Sequence, residues 1–383
     1  MFGWNLDLGL DLGTCTTRFY QRGVGIVTAE PSAVALSPGS GEVMAVGAEA
    51  KLLADQASSD ARVVFPIRAG VVADHQAAAE MIRAMIRRVL GRRRLFMPRV
   101  VVCLATGATP VERAALLHAV QSAGARGLRV VDSTLAGAIG AGLVATDRAA
   151  RLVVSIGGGA TTFGLVSQGR LVWGRSLRFG GLDLDEAVRK MMRNRYGLAI
   201  SPPTAERMKL QVGAVSAQMA RTKVAVGGSE VYGELFRNLE VTLDAIPETL
   251  ARALLPVVNE IHWAIAEAPT EQRAEIRANG IMLIGGSSQL QGVTQMMRDR
   301  LGVPVVRARE PAHAVALGLG AMLQDVLTLS HDGNRYGAMG LGPGAGVQGP
   351  EGRRASPAKG LAITPPFATP HAPLGLGCSL PRP

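Results

Sequence analysis

The 383 residues suffice for two domains of ordinary size, and 48% hydrophobic content with a mean hydropathy of +0.21 excludes a chain that is disordered throughout. Three cysteines, Cys15, Cys103 and Cys378, are odd in number and far apart, which argues against a disulfide framework or a cysteine metal site and for a reducing compartment. The net charge of +11, from 41 basic against 30 acidic side chains, favours an anionic partner: lipid headgroups, nucleic acid or nucleotide phosphates.

Residues 1–6 are too short and lack the basic flank of a secretory signal, and no apolar run reaches the roughly 18 residues of a spanning helix, so a cytosolic chain is expected. Short β-like runs at 6–12, 18–20, 25–27 and 33–36 alternate with turn residues and predict hairpins opening a mixed sheet. Over 74–90 the apolar positions Met81, Ile82, Met85, Ile86, Val89 and Leu90 recur at helical spacing, with Asp74 placed to cap and Gly91 to stop the helix. A strand at 100–104, a helix at 111–122, a strand at 128–131 and a small-residue helix at 134–143 follow. A second strand, 152–156, runs into Gly157-Gly158-Gly159-Ala160-Thr161-Thr162, repeating the plan of Asp11-Leu12-Gly13-Thr14-Cys15-Thr16-Thr17. Such a weak internal repeat predicts two domains of related topology facing one cleft. Helices are expected at 185–196 and 247–268, and a third apolar strand leads into Gly285-Gly286-Ser287-Ser288. Beyond about residue 331 the chain turns to glycine and proline, so 331–383 reads as a disordered tail.

Glycine turns at strand ends expose backbone N–H groups without Cβ obstruction, and neighbouring hydroxyls add donors for phosphate oxygens. One such turn is usually a plain hairpin. Three of them, two carrying Thr-Thr, point to a polyphosphate clamped between two domains. Neither a GxxxxGK[ST] loop nor a GxGxxG turn opening a helix is present.

The residues 11–17 and 156–162 resemble the two phosphate hairpins of the actin, sugar-kinase and heat-shock-chaperone superfamily, and the chain is similar within it to the MreB family of bacterial actins. The segments 23–32, 70–74, 107–113, 138–143 and 204–209 resemble that family in order and spacing, so that the resemblance spans about 6–326. It implies an α/β, actin-like ATPase fold of two ribonuclease-H-like domains with mixed sheets around a central nucleotide cleft. The expected division is an apolar segment at 1–5, a first domain at 6–143 rejoined by a C-terminal helix at about 313–328, and a second domain at 144–330 with an insert at about 205–250. The resemblance further implies ATP and Mg²⁺ as cofactors. Gly13, Thr14, Cys15 and Thr16, with Gly157, Gly158, Gly159 and Ala160, would cradle the phosphates. Glu206, Arg207, Met208 and Lys209 would sit by ribose and base, and Gly285, Gly286, Ser287, Ser288 and Gln289 would close the pocket. Asp11 would hold the metal through waters.

Departures from the family pattern cluster at the chemistry. The carboxylate expected to orient the attacking water corresponds to Ser133, the aspartate opening the second hairpin to Ser155, and its closing acid to Phe163. Hydrolysis depends on positioning and charge, so slow turnover is expected unless Asp132 substitutes.

Residues 81–99 carry seven arginines and no acid, with Arg92, Arg93 and Arg94 followed by Leu95-Phe96 in an expected loop. The residues alone allow a solvated arginine face or a membrane-dipping loop, and the loop matches the position where the resemblance implies an inserted Leu-Phe pair; Phe2 and Trp4, residue types that favour the interface, would supply a second contact. With 4% aromatic residues and no reader motif, nucleic acid is not the expected partner of this patch. The expected partners are further copies of the chain in an open head-to-tail filament, the anionic inner membrane surface and membrane proteins of cell-wall synthesis. Two other functions stay open: a degenerate nucleotide-binding scaffold, and a small-molecule kinase, for which no substrate insert is evident.

Overall fold

The computed structural model describes residues 7–55, 60–91, 98–143, 149–216, 223–231 and 235–329, the last five as backbone. The membrane candidates Phe2, Trp4, Arg92, Arg93, Arg94, Leu95 and Phe96, and the 331–383 tail, lie outside the described residues.

Two five-stranded sheets share one plan. In the first, the antiparallel run Gly25–Pro31, Thr16–Gln21, Asp7–Leu12 continues in parallel through Arg99–Leu104 to Gly127–Asp132. In the second, Arg170–Leu177, Thr161–Ser167, Arg151–Ile156 continue in parallel through Ile281–Ile284 to Val305–Arg307. The repeat read from the two glycine hairpins is therefore a repeat of whole sheets. Three small sheets complete the strands described.

Strand alternation sorts the cores, because successive side chains face opposite sides. Leu8, Leu10, Val100 and Val102 are buried against Met81, Ile82, Met85 and Ile86 of the His75–Leu90 helix. Asp74 caps that helix by accepting from the Ala77 N–H at 3.0 Å, and Gly91 ends it. Leu152, Val154, Ile156, Phe163 and Leu165 form the equivalent core of the second sheet. The opposite faces contribute Val101, Cys103, Val153 and Ile284 to a third cluster, filled by the Ser133–Gly140 and Ala314–Leu329 helices. These two helices meet nearly backbone to backbone: a Cβ on Gly140 or Gly318 would run into the Ala314 or Ala136 carbonyl oxygen.

The expected helix at 247–268 is two helices, Ile246–Ala253 and Leu255–Glu267. Pro256 near the start of the second has no N–H to donate to the Arg252 carbonyl four residues back, and its ring crowds that carbonyl, which breaks the ladder there. The arginine-rich stretch is also less cationic than its sequence suggests. Arg83 pairs with Glu80, Arg88 with Glu49 and Glu30, and Arg99 with the buried Asp7, which Arg22 also approaches at 3.0 Å. Among the described residues, no helix is long and apolar enough to cross a membrane.

Candidate functional site

The hairpin turns of the two sheets face one another across a cavity of about 430 Å³. The first turn, Gly13 to Thr16, joins Asp7–Leu12 to Thr16–Gln21, and the second, Gly157 to Ala160, joins Arg151–Ile156 to Thr161–Ser167. A Cβ on Gly159 would lie 2.6 Å from Cγ2 of Thr14, and one on Gly158 2.9 Å from Cβ of Cys15. Only glycine allows the loops to approach this closely, and this cradle is the observation that fits a phosphate chain.

Neighbouring elements hold the turns. Thr14 Oγ1 accepts from the Gly70 N–H at 2.9 Å, and Ser32 Oγ donates to the Gly13 carbonyl at 2.7 Å. The N–H groups of Gly181 and Leu182 donate to the Gly157 and Gly158 carbonyls at 2.9 and 2.8 Å, and Ser287 Oγ donates to Gly157 at 3.0 Å. All three glycine turns read from the sequence thus meet at one place.

The charged residues are arranged in pairs. Lys209 reaches Asp185 at 2.8 Å and donates to the Gly181 carbonyl at 3.1 Å. Burial raises the Asp185 pKa, against the lowering effect of Lys209. Glu206 accepts from Lys51 at 2.8 Å, linking the Ala48–Asp55 helix to the Pro202–Val212 helix across the cleft mouth. Asp11 is paired with Arg18 at 3.6 Å, and desolvation raises its pKa although Arg18 opposes the shift. The Cys15 side chain is exposed to the cleft, whose walls raise the thiol pKa by desolvation, with Glu206 adding to the shift.

The expected site residues divide. Gly13, Thr14, Cys15, Thr16, Gly157, Gly158, Gly159, Ala160, Glu206, Lys209, Gly285, Gly286, Ser287 and Gln289 line the cavity with Asp11 and Ser133. Arg207 is outside the lining and accepted by Thr204, Met208 is buried in the second core, and Ser288 is buried with its hydroxyl on the Gly285 carbonyl. Asp132 caps the Ser133–Gly140 helix: its Oδ1 accepts from the Thr134 and Leu135 N–H groups and from Thr106, and it does not line the cavity. Phe163 is buried among apolar side chains. The sequence reading missed Arg18, Asp185 and Gly181, all of which line the cavity. Arg18 had a legible signal, since pairing across the first hairpin sets it opposite Asp11.

Among the described residues, the side chains of the cleft alone build no magnesium site. Ser133 and Ser155 are uncharged, Asp11 is ion-paired, and no group of three or more metal-ligating side chains occurs among the described residues.

A family model described as MreB/Mbl protein matches residues 5–331. The chain is 35% identical over 327 residues to cell shape-determining protein MreB of Escherichia coli (strain K12), covering 83% of this chain and 93% of that one. It is 30% identical over 320 residues to cell shape-determining protein Mbl of Bacillus subtilis (strain 168), covering 84% and 96%. Among solved structures, MreB 5 of Spiroplasma citri bound to AMPPNP superimposes with a TM-score of 0.80 at 25% identity, over 85% of this chain and 98% of that one. The MamK double helical filament shares the fold, with a TM-score of 0.68 at 18% identity over 83% and 98%. With two sheets of one plan closing their glycine hairpins on a common cleft, the chain belongs to the MreB/Mbl family of actin-like, shape-determining cytoskeletal proteins.

Proposed function

We propose that the cleft binds ATP and that nucleotide-bound subunits join head to tail into filaments on the inner face of the cell membrane, where they guide cell-wall synthesis. The observation that carries the reading is the pair of glycine hairpins meeting across the cavity, supported by relatives solved with AMPPNP and with ADP. The phosphates would lie between Gly13–Thr16 and Gly157–Ala160, with Glu206, Lys209 and Gln289 toward the sugar and base. Division into domains at 143/144, with the Ala314–Leu329 helix rejoining the first, accounts for the cleft between the sheets. Hydrolysis is slow on this reading: Ser133 offers no carboxylate to orient water, and Asp132 is committed to its helix cap. A multiple-turnover phosphate-release rate equal to that of other family members would refute the slow turnover.

Cys15 supplies the direct test of binding, because it sits in the first hairpin and Cys103 is buried. In a Cys378→Ser background, iodoacetamide should label Cys15, more slowly than a free thiol at neutral pH because the raised pKa leaves less thiolate. ATP at ten times its Kd should slow labelling roughly tenfold by mass action. Labelling indifferent to saturating ATP would overturn the proposed site.

A further inference from the structure

We infer that Arg18 is a built-in cation that takes the part of a bound divalent metal, so that this cleft holds a nucleoside triphosphate without requiring Mg²⁺. The inference rests on the nucleotide reading above and concerns how this chain meets the charge of the phosphates.

The charge inventory of the cavity carries it. Among the described residues three carboxylates line it, Asp11, Asp185 and Glu206, and each is matched by a side-chain cation: Arg18 at 3.6 Å, Lys209 at 2.8 Å and Lys51 at 2.8 Å. A magnesium ion needs carboxylate or phosphate oxygens and keeps its own waters. At Asp11 a phosphate-bound ion would have to settle beside a guanidinium already there, and Ser155 and Ser133 offer it only neutral oxygens. The same crowding suits an arginine. Its planar fork matches phosphate oxygens, it stays charged at every working pH, and it sheds water more readily than an ammonium.

Arg18 is held where it can act. Strand pairing fixes it opposite Asp11, on the hairpin whose turn is the first phosphate loop. Its side chain is only 17% exposed and lines the cavity, and its buried Nε has no hydrogen-bond partner among the described residues. Nor has the buried hydroxyl of Ser133, on the same cavity. Buried donors are seldom left unmet, and these two, unlike the unmet guanidinium donors of Arg22, open onto the cavity, where an oxygen-rich group would satisfy them. An arginine on a strand is also fixed in number and position, whereas a metal ion arrives with the nucleotide and leaves with it.

The test measures binding of a fluorescent ATP analogue in EDTA and in excess Mg²⁺. For the unaltered protein the two Kd values should agree within about twofold, since the arginine, present in both, supplies the charge-assisted contact. Arg18→Leu alone would strand the Asp11 carboxylate, so the informative comparison is Asp11→Asn, which frees Arg18 for the phosphates, against Asp11→Asn/Arg18→Leu, which removes both charges of the pair. In EDTA, Asp11→Asn should bind more tightly than the parent, one negative charge beside the phosphates having gone. The double variant should bind about tenfold or more weakly than Asp11→Asn, the size of one lost charge-assisted hydrogen bond, and should recover part of the loss in Mg²⁺. A tenfold or larger weakening of the unaltered protein by EDTA would overturn the inference, as would equal metal-free binding by the two variants. Absence of binding in both conditions would overturn the nucleotide reading itself, and the inference with it.

Discussion

At the scale of the residue, glycine and charge decide this protein's cleft. Gly158 and Gly159 allow the loops to close on one another, and Gly140 and Gly318 allow two helices to cross at backbone distance. The crossing gives a sharp prediction. Gly318→Ala places a methyl against the Ala136 carbonyl, which cannot swing away as a side chain would, so the variant should lose about 1–3 kcal/mol of stability in denaturant unfolding. A midpoint equal to or above that of the parent would mean that the helices do not meet there. The hairpin glycines were legible in the sequence because each follows an apolar strand and precedes hydroxyls. Arg18 escaped because its meaning lies in cross-strand register, and Asp185 because its partner, Lys209, is on another helix. Asp132 looks catalytic in one dimension, but its position just before Ser133-Thr134-Leu135 makes it a helix cap in three.

At the scale of the element, periodicity was a sound guide where one helix faced one core. The His75–Leu90 helix runs from cap to stop as its apolar spacing predicts. The Pro110–Ser122 helix starts one residue before the expected 111, because Thr109 and Glu112 form a capping box around Pro110. Periodicity did not reveal the break near Pro256, since both helices keep their apolar faces on the same core. The element with most to prove is the segment after His75–Leu90. On the proposed membrane reading, with Arg83, Arg88 and Arg99 paired to acids, attraction to an anionic surface would fall to Arg87 and Arg92–Arg94, and insertion to Leu95 and Phe96. Each arginine near such a surface contributes about 1 kcal/mol, so neither part anchors the protein alone. Replacing Leu95 and Phe96 with serine should therefore abolish sedimentation with anionic liposomes at physiological salt. Undiminished sedimentation would refute the membrane loop.

At the scale of the whole molecule, two sheets of one plan turn their inner faces to a shared central layer and their hairpins to a shared cleft. That duplication was visible in the sequence only as two short glycine motifs, because the strands between them share a pattern of burial and not a pattern of residues. The order of strands, the central helix pair and the Lys51–Glu206 bridge at the cleft mouth needed three dimensions. The bridge joins elements on opposite sides of the cleft, so nucleotide contacts on both hairpins would favour the closed arrangement, and a closed subunit presents fixed surfaces to its neighbours. On the proposed filament reading, polymerisation is thereby tied to the cleft. The measurement that tests this most directly is negative-stain electron microscopy of the purified protein on an anionic lipid monolayer, with Mg-ATP and without nucleotide. Filaments that form with Mg-ATP and are absent without it are the predicted result; well-folded monomers under both conditions would contradict it.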